Sequence, residues 1–214
     1  MQKGDFVIID FIGRLESGEI FDLTKEDVAK KENIYNKNFK YRQLPVIVGA
    51  GFLVPGLDKA LLDINVGEKR EVTISTEDGF GDRDPKLVRV VPMSMFKERN
   101  VDIMPGMVVD FGNARGRVQS ISSGRVRVDF NNPLAGKALK YEVEIKEKIE
   151  GKEAQIKAIF DYFDAKAEIK LEENDVTIET KLPPQMKEKI SSLIKEYVGI
   201  GKVKFLEVFL LVTY

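Results

Sequence analysis

The pattern of apolar and polar positions changes period several times along the chain, and each change marks an element. Val7 to Leu15 and Glu68 to Ser75 combine apolar alternation with β-branched residues, and Gly-containing turns (Ser17-Gly18, Asn65-Val66-Gly67) bound them. They predict antiparallel strands. Between them, Gly56 to Asp63 (GLDKALLD) sets Leu57, Ala60 and Leu61 on one helical face just after Pro55, a residue suited to a first helical turn. One short helix against a sheet predicts an α+β core. Residues 24 to 42 (TKEDVAKKENIYNKNFKYR) are polar, and Thr24 with Asp27 fits a capping box for a helix of about two turns. A surface excursion is expected there.

Further on, Pro92 to Arg99 (PMSMFKER) reads as a helical turn, while Met107 to Phe111, Arg115 to Ile121 and Gly124 to Phe130 read as strands between Gly-rich turns. That describes a small β module. From Gly151 the order is helix, strand, strand, helix, strand. Ile156, Ile159, Phe160 and Phe163 recur at helical spacing; Ala167 to Leu171 and Val176 to Thr180 alternate; Pro183-Pro184 precedes a stripe of Met186, Ile190, Leu193, Ile194 and Tyr197. The last segment, Val203 to Tyr214, contains FLEVFLLV and is too apolar for an open edge. It is expected to lie centrally in a sheet or to pair with a second copy of the chain.

Composition narrows the chemistry. The 214 residues include no Cys and no His, which excludes disulfides, thiol nucleophiles, Ser-His-Asp triads and the usual zinc or nickel ligands. No metal and no cofactor are expected. No apolar run approaches the ~18 residues of a membrane span, and MQKGDFVIIDF lacks the small-residue cleavage site of a signal peptide. A cytoplasmic protein with no membrane association is the expectation. Charged residues make up 32% of the chain and Lys and Glu are prominent, a composition compatible with a thermophile. The net charge of −1 argues against a dedicated nucleic-acid binder. Charge is unevenly distributed: residues 83 to 128 carry nine Lys/Arg against four Asp/Glu, whereas 1 to 82 with 129 to 150 carry 15 against 20. The middle segment therefore reads as a separate module.

Two stretches about fifty residues apart, Gly51 to Gly81 and Asn131 to Ile145, read as two halves of one apolar site. The order IDFIGRLESGEIFD, GFLVPGLDKALLDINVGEKREVTIS, DGFG and NPLAGKALKYEVEI resembles the FKBP-type peptidyl-prolyl isomerases, with LxPGLxxAL and NPLAGK as the specific markers. The interruption resembles the insert-in-flap domain of the SlyD-type branch, and the tail is similar to that of long archaeal members. The resemblance implies an FKBP-type antiparallel sheet around a short helix in residues 1–82 and 129–150. It also implies a β insert-in-flap chaperone domain at 83–128, followed by an α+β C-terminal domain at 151–214.

By the same resemblance the catalytic cup comprises Phe11, Phe21, Asp22, Leu53, Val54, Leu57, Phe80 and Tyr141, with Leu134 and Leu139 in support. The backbone N–H of Val54 would bind a ligand carbonyl, and Asp22 would lie at the pocket edge. Leu57 replaces a tryptophan floor, as is usual in the SlyD-type branch. Phe11 and Phe80 stand where tyrosines are common, so Phe80 lacks a hydroxyl that bears on catalytic strength and macrolide affinity. Taken singly, Phe11, Phe21, Leu57 and Phe80 read as ordinary core residues, and Asp22 as a turn cap. Their joint pattern favours a site.

Such a site suits a chain without His or Cys. Rotation about an X-Pro bond must break amide resonance, a barrier of about 18–20 kcal/mol, but moves no proton. The planar amide is more polar than the twisted one, so an apolar cup penalises the ground state more than the transition state. Each tenfold acceleration needs only ~1.4 kcal/mol.

Two further signals lie in the insertion. Met93, Met95, Met104 and Met107 are four of the six methionines and stand beside Phe96, Val101 and Ile103. They suit either a small core or an adaptable client-binding surface, and the resemblance to a chaperone module favours the latter. Arg115, Arg117, Arg125 and Arg127 alternate on neighbouring strands and read as a solvated face rather than an anion or RNA site.

The expectation is thus an isomerase with folding-chaperone activity whose partners are unfolded or partly folded polypeptides with X-Pro bonds, with a homodimer through the C-terminal segment. The alternative is a holdase or assembly adaptor whose isomerase cup has decayed.

Overall fold

The computed structural model describes residues 1–112 and 114–207. In chain order its elements are β1 (Phe6–Leu15), β2 (Ile20–Leu23), α1 (Glu26–Lys31), β3 (Leu44–Ile47), α2 (Pro55–Ala60), β4 (Lys69–Ile74), β5 (Val88–Pro92), α3 (Ser94–Lys97), β6 (Val108–Asp110), β7 (Arg115–Ser122) and β8 (Arg125–Asp129). There follow β9 (Leu139–Lys148), α4 (Lys152–Tyr162), β10 (Glu168–Glu172), β11 (Asp175–Glu179), α5 (Pro184–Leu193) and β12 (Lys202–Leu206). The fold class is α+β. The chain divides into two compact units, residues 1–74 with 139–214, and residues 75–138.

In the first unit the sheet runs β2-β1-β9-β4, and β3 also pairs with β1, all antiparallel. β3 takes the Phe6–Ile9 half of β1 and β2 takes Ile12–Arg14, so both occupy the same edge in succession. The gap between them falls at Asp10-Phe11, where the backbone needs other partners. Thr24 supplies them. The Phe11 N–H donates to Thr24 Oγ1 (3.0 Å), the Thr24 N–H donates to the Phe11 carbonyl (3.0 Å), and the Thr24 hydroxyl donates to the buried Asp10 carboxylate (2.8 Å). Thr24 is therefore not the helix cap that its spacing to Asp27 predicts. α1 begins after Lys25 with no side-chain cap, because the hydroxyl is already engaged in sealing the sheet edge.

The short helix forms where its apolar face predicts. Pro55 stands at its first turn, where a missing N–H leaves nothing unsatisfied, and Leu57 and Leu61 are buried.

The C-terminal segment shares a core with the first strands. Phe6 and Ile47 pack with Ile156, Ile159 and Phe160 of α4, Val176 and Ile178 of β11, and Ile190 of α5. The helical stripe on α4 thus covers the β1/β3 end of the sheet. The tail's own sheet is β10-β11-β12, with β12 parallel to β11 at an edge. Among the described residues Val203 to Leu206 takes an edge of that sheet, beside β11 and away from β10, and not the central position that is one of its two expected places. The remainder of that apolar segment lies outside the described residues.

The second unit is built on the sheet β5-β8-β7-β6. Phe96, Val109, Val118, Val126 and Val128 form its core, and Met93, Ile103, Phe111 and Phe130 pack around them. Strand alternation explains this: on β8, Val126 and Val128 point inward while Arg125 and Arg127 are exposed. Arg117 stands opposite Asp129 across the ladder, and Arg115 pairs with Asp110 at 3.5 Å.

Candidate functional site

The site in the first unit is organised around a glycine. Gly13 pairs with Asp22 on β2 and with Tyr141 on β9, so Asp22, Gly13 and Tyr141 form one row across three strands. A Cβ on Gly13 would meet the Phe21 ring at 2.7 and 2.9 Å and the Tyr141 ring at 3.1 Å. The missing side chain is what lets the two rings settle there. Phe21 meets Tyr141 edge-on (centroids 5.5 Å, 87°), and Phe11 lies 5.8 Å from Tyr141 on its other flank. Phe11 and Tyr141 are buried and Phe21 is half-buried. Such tilted and edge-on packing aligns ring edges with ring faces and fixes the shape of an apolar surface.

Electrostatics follow from that packing. Burial pushes the Asp22 carboxyl above its ordinary value, partly offset by a hydrogen bond from the backbone of Leu23. Burial also raises the Tyr141 hydroxyl, and the neighbouring Asp22 charge adds to the effect. Tyr141 therefore stays a neutral phenol at physiological pH.

Leu57 and Leu139 are fully buried, so neither presents an open surface. Leu53 and Val54 are half-buried and lead into α2, where the Val54 carbonyl accepts from the N–H groups of Leu57 and Asp58, each at 3.0 Å. That loop is held by a residue the sequence reading did not single out. Asp58 is buried on α2, and its two carboxylate oxygens accept from the Gly49 N–H (2.8 Å) and the Gly51 N–H (3.1 Å). Both glycines have positive φ, 75° and 74°, which gives the loop its tight path. The signal was an acid next to Leu57 on a short apolar helix. Gly13 carried a comparable one, a lone glycine inside FVIIDFIGRL.

Phe80 and Leu134 belong to the second unit. There the Gly136 N–H donates to the Gly81 carbonyl (2.8 Å), which joins the DGFG turn to the NPLAGK loop. Asn131 accepts from the Asp84 N–H (2.8 Å) and donates to the Asp84 carbonyl (3.0 Å), and Arg83 forms an ion pair with Asp129. These contacts pin together the two chain crossings that begin and end the insertion.

The methionines divide. Met93 and the buried Phe96 serve the small core, whereas Met95, Met104 and Met107 are exposed, Met104 by 66%. Val90 and Val108 are also exposed, at 64% and 51%. Core packing thus accounts for Met93 and Phe96 and leaves Met95, Met104 and Met107 at the surface. Among the described residues, no group of three or more acidic side chains is placed to hold a metal ion.

An antiparallel sheet carrying an aromatic cluster and a short helix, with a separate β unit inserted in the chain between β4 and β9, defines a class of apolar-site proteins with an inserted domain. A family model described as the FKBP26 IF domain matches residues 89–134. A short-type peptidyl-prolyl cis-trans isomerase of Methanocaldococcus jannaschii is 33% identical over 147 residues, spanning 69% of this chain and 93% of that protein. A probable FKBP-type 16 kDa peptidyl-prolyl cis-trans isomerase of Pseudomonas fluorescens is 35% identical over 144 residues, 65% of this chain and 85% of its own length. The SlyD isomerase of Escherichia coli K12 is 33% identical over 105 residues, 48% and 54% of the two chains. The chain belongs to the FKBP-type peptidyl-prolyl cis-trans isomerase family, with an insert-in-flap domain.

Proposed function

We propose that this chain isomerises X-Pro bonds in unfolded or partly folded polypeptides and also holds them as a chaperone, in the cytoplasm. The observation that carries the proposal is the aromatic row over Gly13: Phe11 and Phe21 each packed against Tyr141, with one raised carboxyl, Asp22, at its edge. Desolvation by that surface disfavours the planar, more polar amide, and no charged group has to change its protonation state. The exposed Met95, Met104 and Met107 supply the adaptable apolar surface on which a client segment is held. Holding raises the local concentration of X-Pro bonds, so a modest cup serves many sequences.

Within the first unit, the residues assigned to catalysis are Phe11, Phe21, Asp22, Val54 and Tyr141. Replacing Met95, Met104 and Met107 together by Ser tests the division of labour, since all three are exposed and none belongs to the small core. The expected outcome is unchanged turnover of a short X-Pro peptide with slower catalysis of a proline-limited refolding reaction. Equal refolding rates for the variant and the parent would contradict it. Suppression of aggregation without any effect on the short peptide would instead favour a holdase with a decayed cup.

A homodimer through the C-terminal segment is part of the proposal. Among the described residues β12 pairs only with β11, which leaves one edge for a second copy. Light scattering of the intact protein tests this, and a monomeric mass would remove it.

A further inference from the structure

We propose that the C-terminal turn of α4 is a clamp that holds the two loops beside the cup, with Asp164 and Tyr162 as positioning residues for isomerisation. This rests on the reading of the cup as the isomerase site.

The turn is a Schellman motif: the Ala165 N–H donates to the Phe160 carbonyl (3.0 Å) and the Asp164 N–H to the Asp161 carbonyl (3.1 Å). Asp164 occupies its left-handed position, φ 53°. Glycine is the usual residue there, and a negative charge opposes the helix dipole at a C-terminus. Helix formation does not explain an aspartate at this position. Its contacts do. Asp164 forms ion pairs with Lys40 and, at 3.9 Å, with Arg42, and Arg42 also donates to the Asp161 carbonyl at 2.6 Å. Two residues earlier, the Tyr162 hydroxyl donates to the Phe52 carbonyl (2.8 Å), and its ring packs on Phe52 with centroids 4.3 Å apart.

The tethered loops are the ones that matter for the cup. Phe52 immediately precedes Leu53-Val54. Residues 36–43 carry Phe39, which is 46% exposed. A groove of about 310 Å³ runs beside the cup, lined by Phe11, Asp22 and Leu44 from the sheet, Phe39 and Arg42 from the excursion, and Asp164 from the turn. Its outer wall is made of residues that no strand holds. An exposed ion pair alone contributes at most about 1 kcal/mol. Five contacts from one rigid turn act together, and their effect is to fix the groove's width. Asp164 also neutralises the two cations that would otherwise face a bound polypeptide.

The test uses the full chain with Asp164→Gly and Tyr162→Phe. Asp164→Gly improves the turn as a helix terminus, so thermal stability should be unchanged or higher. KM for X-Pro peptides should nonetheless rise about threefold to tenfold with kcat nearly unchanged, and Tyr162→Phe should shift it the same way. Glu-Pro peptides should gain relative to Leu-Pro peptides in Asp164→Gly, because Lys40 and Arg42 lose their partner. Amide hydrogen exchange at residues 36–43 and 51–54 should quicken. Unchanged KM in both variants together with unchanged exchange would overturn the clamp. If the intact chain accelerates no X-Pro peptide, the isomerase reading fails, and the exchange measurement then decides the clamp by itself.

Discussion

Asp22 and Tyr141 face each other across Gly13 in a single row of the sheet, and the charge of the one adds to burial in raising the hydroxyl of the other. The row places one half-buried carboxyl beside three aromatic rings. An apolar surface with a single polar edge is what desolvation of an X-Pro amide requires.

Gly13→Ala should disrupt this arrangement more than its size suggests. A methyl group there meets the Phe21 and Tyr141 rings at 2.7 to 3.1 Å, so one ring must move. Overpacking of this kind costs about 1 to 3 kcal/mol. Denaturant unfolding should show that loss, and peptide isomerisation should fall with it. Unchanged activity would mean that the ring geometry is not used.

Asp22 gives a pH signature. Its folded-state value lies above the ordinary 3.8, so across that window the native state binds more protons than the unfolded chain. Stability from this group is therefore greatest at low pH and falls as pH rises from about 3.8 through the raised value. Asp22→Asn removes the penalty. The variant should gain stability relative to the parent at pH 7 compared with pH 3, as read by thermal unfolding at both. A pH-independent difference would contradict the assignment.

The strands and the short helix were legible because their alternation and apolar face depend only on neighbouring residues. The Phe11, Phe21, Asp22 and Tyr141 grouping was legible as a family pattern, and Gly13 was missed because its value lies in strand register, which brings Tyr141 from 128 positions away. Thr24 misled for a related reason: its spacing to Asp27 is a local signal, but its hydroxyl answers to the gap between β2 and β3. The stripe Ile156, Ile159, Phe160 announced a buried helix face without announcing that Phe6 and Ile47 lie beneath it.

Asp58 should prove structural and functional together. Asp58→Ala leaves the Gly49 and Gly51 N–H groups without their acceptor, a loss on the order of 3 kcal/mol for two charge-assisted bonds. The loop carrying Leu53 and Val54 should loosen. Asp58→Asn, which keeps an acceptor oxygen, should recover part of both stability and activity. Equal losses in the two variants would show that the hydrogen bonds do not hold the loop.

The most direct measurement is NMR exchange spectroscopy on a short peptide with a single X-Pro bond, with substoichiometric intact protein and a Tyr141→Ala variant. Uncatalysed exchange takes tens to hundreds of seconds. The expected result is marked acceleration by the intact chain and a large loss of that acceleration in the variant. Exchange at the uncatalysed rate with the intact chain, or equal acceleration by Tyr141→Ala, would contradict the assignment of the aromatic row as the isomerase site.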